Sequence, residues 1–244
     1  MEDFALEGLS EGVGPVDQVT ENLNPIAQET LRHLLRVWLD FERRLGKVPV
    51  LRRLDLGTFT RDDYMRLLLN LRQQVIEGSR WITRAASSFD RSHTDLRSIV
   101  IGHAKDEHRD YEILEKDYVA LGGEKAEILN GERNLGSEAL HAFLYHRASL
   151  PNPIDMIGAM FMIEGLGEKM ANSWATKIEE QAQCDKDATR FLRYHGENDE
   201  DHMQRFYQML NMVATSEKHS KRIIKTARVV GRLYAMQLEE LDVL

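Results

Sequence analysis

Three histidines and several carboxylates recur at helical spacing in this chain of 244 residues. His195, Asp199 and His202 stand at i, i+4 and i+7. At about 100° per residue, these positions share one face of an α-helix. Two imidazoles and a carboxylate on one face suit iron, zinc or manganese. Glu197, Glu200 and Asp201 point elsewhere and read as a solvated acidic face. The competing reading of the whole run is a polar surface helix. His103, Glu107 and Asp110 repeat the same spacing, so two helices could face each other across a metal pair. His108 lies about 140° around the helix from His103 and reads as a surface or outer residue. Glu164 interrupts the apolar run Met160-Phe-Met-Ile-Glu164-Gly-Leu-Gly. A carboxylate buried there is costly unless it coordinates a metal or pairs with Arg or Lys. Glu77 is either a further carboxylate ligand or the i,i+3 partner of Arg80. Gln73, Gln74 and Trp81 lie near its face, which is more polar than a core stripe should be. Gly165 and Gly167 each lower helix propensity by roughly 1 kcal/mol relative to Ala, so close packing or substrate access must explain them.

Such ligands need long helices to carry them. The five prolines are Pro15, Pro25, Pro49, Pro151 and Pro153, which leaves 50–150 and 154–244 free of helix breakers. No sustained period-two alternation appears, and Asn130-Gly131 is an isolated hairpin signal. Asn24-Pro25 reads as a cap and first turn. The first helix then runs over about 25–45, with Leu31, Leu34, Leu35, Trp38 and Phe41 as its apolar stripe and Gly46 at its end. Residues 47–59 read as a connection. Thr60, with Asp63 three residues on, opens a second helix to about Ser87. Further helices are predicted over about 94–121, 136–149, 154–182, 186–213 and 216–241. The expectation is an all-α fold: one bundle of about seven helices over 25–244, preceded by an acidic flexible tail over 1–24.

Composition narrows the function classes. The net charge is −8, but the first 24 residues hold six acids and no Lys or Arg, leaving −2 for the other 220. A nearly neutral body offers no general reason to bind nucleic acid or anionic lipid. One cysteine, Cys184, excludes an intramolecular disulfide framework and a Cys-rich metal site. No apolar run is long enough to suggest a membrane span, and the N-terminus does not read as a secretory signal, so a cytoplasmic protein is expected.

With these residues in place, the chain resembles the heme-oxygenase-like di-iron oxidase/oxygenase superfamily, the iron-containing redox enzymes of TenA/PqqC-like fold. The resemblance spans about 30–213. Its most specific element is His195-x3-Asp199-x2-His202, preceded by Glu164 and by Glu77 on an earlier core helix. The run from Glu107 to Gly122 resembles the third core helix of that family. The resemblance implies a seven-helix bundle without heme. It also implies Fe(II)/Fe(III), two per chain, held by Glu77, His103, Glu107, Asp110, Glu164, His195, Asp199 and His202. O2 would be the co-substrate and a small organic molecule the substrate, with a homodimer as a possible assembly. One departure is expected on the third helix. The family places Glu at its first ligand position and His or Glu at its second, where this chain has His103 and Asp110.

Other readings use other residues. Glu138-x2-His141 would join Glu107, Glu164, Asp199 and His202 in a ferritin-like di-iron bundle. A metal-free TenA/PqqC-like enzyme could use a cysteine nucleophile, although Cys184 lies in a polar run. His33 is the one early histidine that could serve as a proximal heme ligand. A non-catalytic helical binding protein would need none of this chemistry. Met156, Met160, Phe161 and Met162 could line an apolar channel or simply fill the core. Arg72 or Arg80 could clamp a substrate carboxylate or sit in salt bridges.

Overall fold

Asn24 caps the first helix, α1 (Pro25–Leu45), by accepting hydrogen bonds from the backbone N–H groups of Ile26 and Ala27. The structure is a computed structural model that describes residues 22–242, apart from the side chains of 198–201. Nearly all of the expected acidic tail, and the Asp199 side chain, therefore lie outside the described residues. The α1 stripe buries Leu31, Leu34, Trp38 and Phe41, while Leu35 is partly buried. The expected connection 47–59 contains a helix of its own, α2 (Pro49–Leu56). Pro49 starts it and Gly57 ends it in the left-handed conformation, φ 74°. The first turn of α3 (Arg61–Ser87) is closed reciprocally. The Thr60 hydroxyl accepts from the Asp63 N–H, and the Asp63 carboxylate accepts from the Thr60 N–H.

The third expected helix is broken. After α4 (Thr94–Asp106) the chain tightens into a 3₁₀ turn, Glu107–Arg109, before α5 (Tyr111–Ala120). A short helix not foreseen from the sequence, α6 (Lys125–Leu129), leads to α7 (Leu135–Ala148). Ten of the eleven residues of α8 (Met156–Leu166) are buried, which marks a helix surrounded by others. This explains why its sequence is a continuous apolar run rather than a stripe. It passes through a π-helical turn, Gly167–Ala171, into α9 (Asn172–Gln181), so the expected helix 154–182 is three pieces. A 3₁₀ turn at Lys186–Ala188 precedes α10 (Arg190–Val213), and α11 (Glu217–Glu239) follows. No strand occurs among the described residues.

The core forms around α8. It packs on α11 on one side and α10 on the other, while α11 also lies along α1 and α7. Phe161 of α8 meets Trp38 of α1 and Phe206 of α10, with ring centroids 6.3 and 5.2 Å apart. Burial of each such large apolar side chain contributes roughly 1.5–3 kcal/mol. The contact of α8 with α11 requires a missing side chain. A Cβ on Gly158 would stand 2.2 Å from the Ile223 carbonyl oxygen. The described residues are all-α, as expected, with more breaks than a seven-helix count implies.

Candidate metal centre

α4, the turn that follows it and α10 bring His103 and Asp110 against His202 and His195, in opposite order. His103 meets His202 edge to face, with ring centroids 4.9 Å apart. At the other end, His195 Nε2 lies 3.5 Å from Asp110 Oδ2. Glu164 enters from α8 and fills the space between the first pair. Its two oxygens reach His103 Nε2 at 3.2 Å and His202 Nδ1 at 3.0 Å. Glu107 Oε1 stands 3.5 Å from His202 Nδ1.

Two groups of donors result. His103, Glu107, Glu164 and His202 offer one ligand atom each, all within 4.8 Å of one another. Glu107, Asp110 and His195 form a second group within the same limit. Glu107 is common to both. The 3₁₀ turn explains the division. An unbroken helix would stack His103, Glu107 and Asp110 along one line. The tighter turn at Glu107–Arg109 instead displaces Asp110 toward His195.

Burial makes this assembly electrostatically demanding. Burial of Glu107 and the negative charge of Glu164 push the Glu107 carboxyl up to about 7. Burial pushes the Glu164 carboxyl up as well, but hydrogen bonds and charge from His103 and His202 outweigh this and hold it well below the usual range. Burial lowers His103, and the Glu164 hydrogen bond and charge raise it to a net value above the ordinary one. Carboxylates crowded in a buried place favour bound protons or a bound cation to offset their charge. His103 Nδ1 and Glu107 Oε1 are also buried with no hydrogen-bond partner among the described residues. An unsatisfied buried group costs about 1–3 kcal/mol. Imidazole and carboxylate donors with unmet valence fit a divalent first-row metal such as iron.

A cavity opens directly on these donors. Glu107, Glu164 and His195 contribute to its wall, together with Leu67, Leu71, Trp81, Trp174 and Phe191. Gln74 is a polar group on the same wall. The two unexplained glycines find their reasons here. A Cβ on Gly165 would press to 3.2 Å from the Trp38 ring, and Gly167 borders the cavity at the start of the π turn. Gly196, next to His195, has a further role absent from the sequence reading. Its missing side chain lets Asn172 approach and donate a hydrogen bond to the Gly196 carbonyl, 3.0 Å.

Several expected participants are held elsewhere. Glu77 belongs to neither donor group; its carboxylate accepts from Arg80 at 2.8 Å and from Arg133 at 3.1 Å. The ion-pair alternative for Glu77 is the observed one, strengthened by an arginine 56 residues away that no local pattern signals. Arg72 is engaged by Glu115, and neither Arg72 nor Arg80 borders the cavity, so the expected clamp is not formed by them. Glu138 is exposed beside Arg133, and neither it nor His141 joins a donor group among the described residues. His108 is exposed and hydrogen-bonds the Lys105 carbonyl. His33 pairs with Glu29 on the surface. Burial pushes the Cys184 thiol up, the opposite of an activated nucleophile. Met156 and Met160 border a second cavity, whereas Phe161 and Met162 fill the core.

Among curated proteins, none matches this sequence. Solved structures share its fold at low identity. A domain of unknown function with a heme oxygenase-like fold from Shewanella denitrificans superposes with a TM-score of 0.81 at 16% identity, covering 86% of this chain and 90% of that one. A TenA homologue from Pseudomonas syringae gives 0.71 at 11%, over 92% and 96%. A TenA homologue from P. horikoshii gives 0.70 at 15%, over 88% and 97%. The family model described as iron-containing redox enzyme matches residues 89–235, the stretch that carries every member of both donor groups. The chain belongs to the iron-containing redox enzyme family.

Proposed function

We propose that this protein is a non-heme, di-iron oxidase or oxygenase that uses O2 to oxidise a small, largely apolar organic molecule. The observation that carries the reading is the pair of His/carboxylate groups sharing Glu107 at the wall of an apolar cavity. One iron would be held by His103, Glu107, Glu164 and His202, and the second by Glu107, Asp110 and His195. Asp199, whose spacing puts it on the same helical face as His195 and His202, completes the proposed set. Bound iron supplies the one-electron chemistry that makes O2 reactive toward an organic substrate.

The chain's own residues do the rest. Glu107 offers a carboxylate to both positions, and the carboxylates together offset cationic charge in a buried place. Leu67, Leu71, Trp81, Trp174 and Phe191 keep the substrate against the metal side of the cavity and limit the access of water. Gln74 supplies a polar contact that can orient it.

Anaerobic Fe(II) titration with metal counting, followed by O2 and by optical and Mössbauer detection, tests the reading. About two irons per chain, oxidised on addition of O2, are expected. A chain that contains no iron and gains none on titration overturns it. A His195→Ala/His202→Ala double variant that takes up iron at wild-type stoichiometry overturns the ligand assignment.

A further inference from the structure

A second, smaller cavity also borders Glu164, with His103 rather than His195 in its wall. Trp81, Leu96, Val100, Met156, Met160 and Met209 form most of its wall. Among the described residues, His103 and Glu164 are the only ionisable side chains that border it, and both belong to the first donor group. The larger cavity, in contrast, also presents Glu107, His195 and Gln74. Trp81, Ile82 and Glu164 line both, so these three residues stand between the two spaces.

Size and lining decide what such a space can hold. Its free volume is about 40 Å³, against about 90 Å³ for the larger cavity. That is room for a few water-sized molecules or a small gas, and less room for an organic molecule than the larger cavity offers. A water molecule needs two to four polar partners to reside stably, and this wall offers few; dry apolar cavities instead take up apolar atoms such as xenon. The three methionines are flexible and polarisable, which suits weak, non-directional binding. Val100, on α4, is the half-buried residue of this wall, while Met160 and Met209 are buried.

We infer that this cavity is the site and route by which O2, a small apolar gas, reaches the metal groups from the His103 side. The organic substrate occupies the larger cavity on the His195 side. The inference rests on the iron-dependent oxidation proposed above. It assigns the two reactants to separate approaches, so that a bound organic molecule does not block the gas.

Xenon tests the cavity without any metal. Crystals of the iron-free full chain under xenon pressure are expected to show an atom between Met160 and Trp81. Kinetics of the iron-loaded protein test the route. Val100→Trp, at the half-buried part of the wall, is expected to slow oxidation of protein-bound Fe(II) by O2 about tenfold at limiting O2. The amount of Fe(II) taken up per chain is expected to stay unchanged. Met160→Phe, inside the wall, is expected to act in the same direction if the first variant folds poorly. Absence of xenon from this cavity overturns the inference, as does an O2 rate unmoved in both variants. A chain that takes up no iron overturns the proposed function and the route together. A chain that takes up iron but fails either cavity test overturns the route alone.

Discussion

Glu164 Oε2 and His202 Nδ1, 38 positions apart in the chain, meet at 3.0 Å inside the bundle. The contact joins the most apolar helix to the one with the most regular ligand spacing. Among the described residues Glu164 has no Arg or Lys partner; its neighbours are two imidazoles and a second carboxylate. A structural ion pair would place a permanent cation beside it. Two titratable imidazoles instead leave room for a metal.

Glu164→Gln keeps the shape of this residue and removes its charge. Iron affinity is expected to fall by at least about 10–100-fold, the loss seen when only an outer partner of a ligand is removed. Asp110→Ala is expected to take the stoichiometry from about two irons to about one, because the group around His103 stays intact. Iron counting on both variants, alongside a Glu138→Ala/His141→Ala control that loads normally, checks the assignment.

Glu77→Gln separates a structural pair from a ligand. Arg133 is three-quarters buried and would lose the nearer and more buried of its two carboxylate partners, keeping only the exposed Glu138. Loss of about 1–3 kcal/mol of stability is expected, with iron uptake unchanged. Denaturant midpoints and iron titration of the same sample read the two effects independently.

Asp117 gives a pH dependence of known sign. Burial pushes its carboxyl up to about 6, although it accepts a hydrogen bond from the Phe191 N–H at 2.9 Å. The folded protein therefore holds this proton more tightly than the unfolded chain, whose carboxyl titrates near 4. The associated stability is fully present below about pH 4 and is lost as pH rises through about 6. Over that window the change amounts to roughly 3 kcal/mol, at about 1.4 kcal/mol per pH unit. Asp117→Asn is expected to flatten this part of the profile. Urea unfolding at pH 5 and pH 8 measures the slope in both proteins; equal slopes count against the assignment.

Gly158→Ala inserts a Cβ against backbone rather than against a flexible side chain. α8 and α11 must move apart, at a cost of about 1–3 kcal/mol or more. A lower Tm is expected, together with weaker iron retention, because α8 also positions Glu164. Thermal unfolding with and without Fe(II) checks both.

Much of the helical framework is local chemistry and could be read directly. Asn24-Pro25 and the Thr60/Asp63 pair start helices where their side chains meet free backbone N–H groups. The spacing of His195 and His202, and the cost of burying Glu164, single out these residues without any knowledge of the fold. Other features escape local pattern. The 3₁₀ turn at Glu107–Arg109 and the π turn at Gly167–Ala171 interrupt segments whose spacing reads as continuous helix. Periodicity reports which face a residue occupies, not where packing tightens or loosens a turn. Glu77 looks as much like a ligand as Glu107 does, and only the position of Arg133 decides between them. The sequence by itself determined an all-α protein with imidazole and carboxylate donors on helical faces. Tertiary structure decided which donors converge, that Glu107 is shared, and that Glu164 borders two cavities. Convergence depends on distances between segments far apart in the chain, and those are set by how α8 is enclosed rather than by any local spacing.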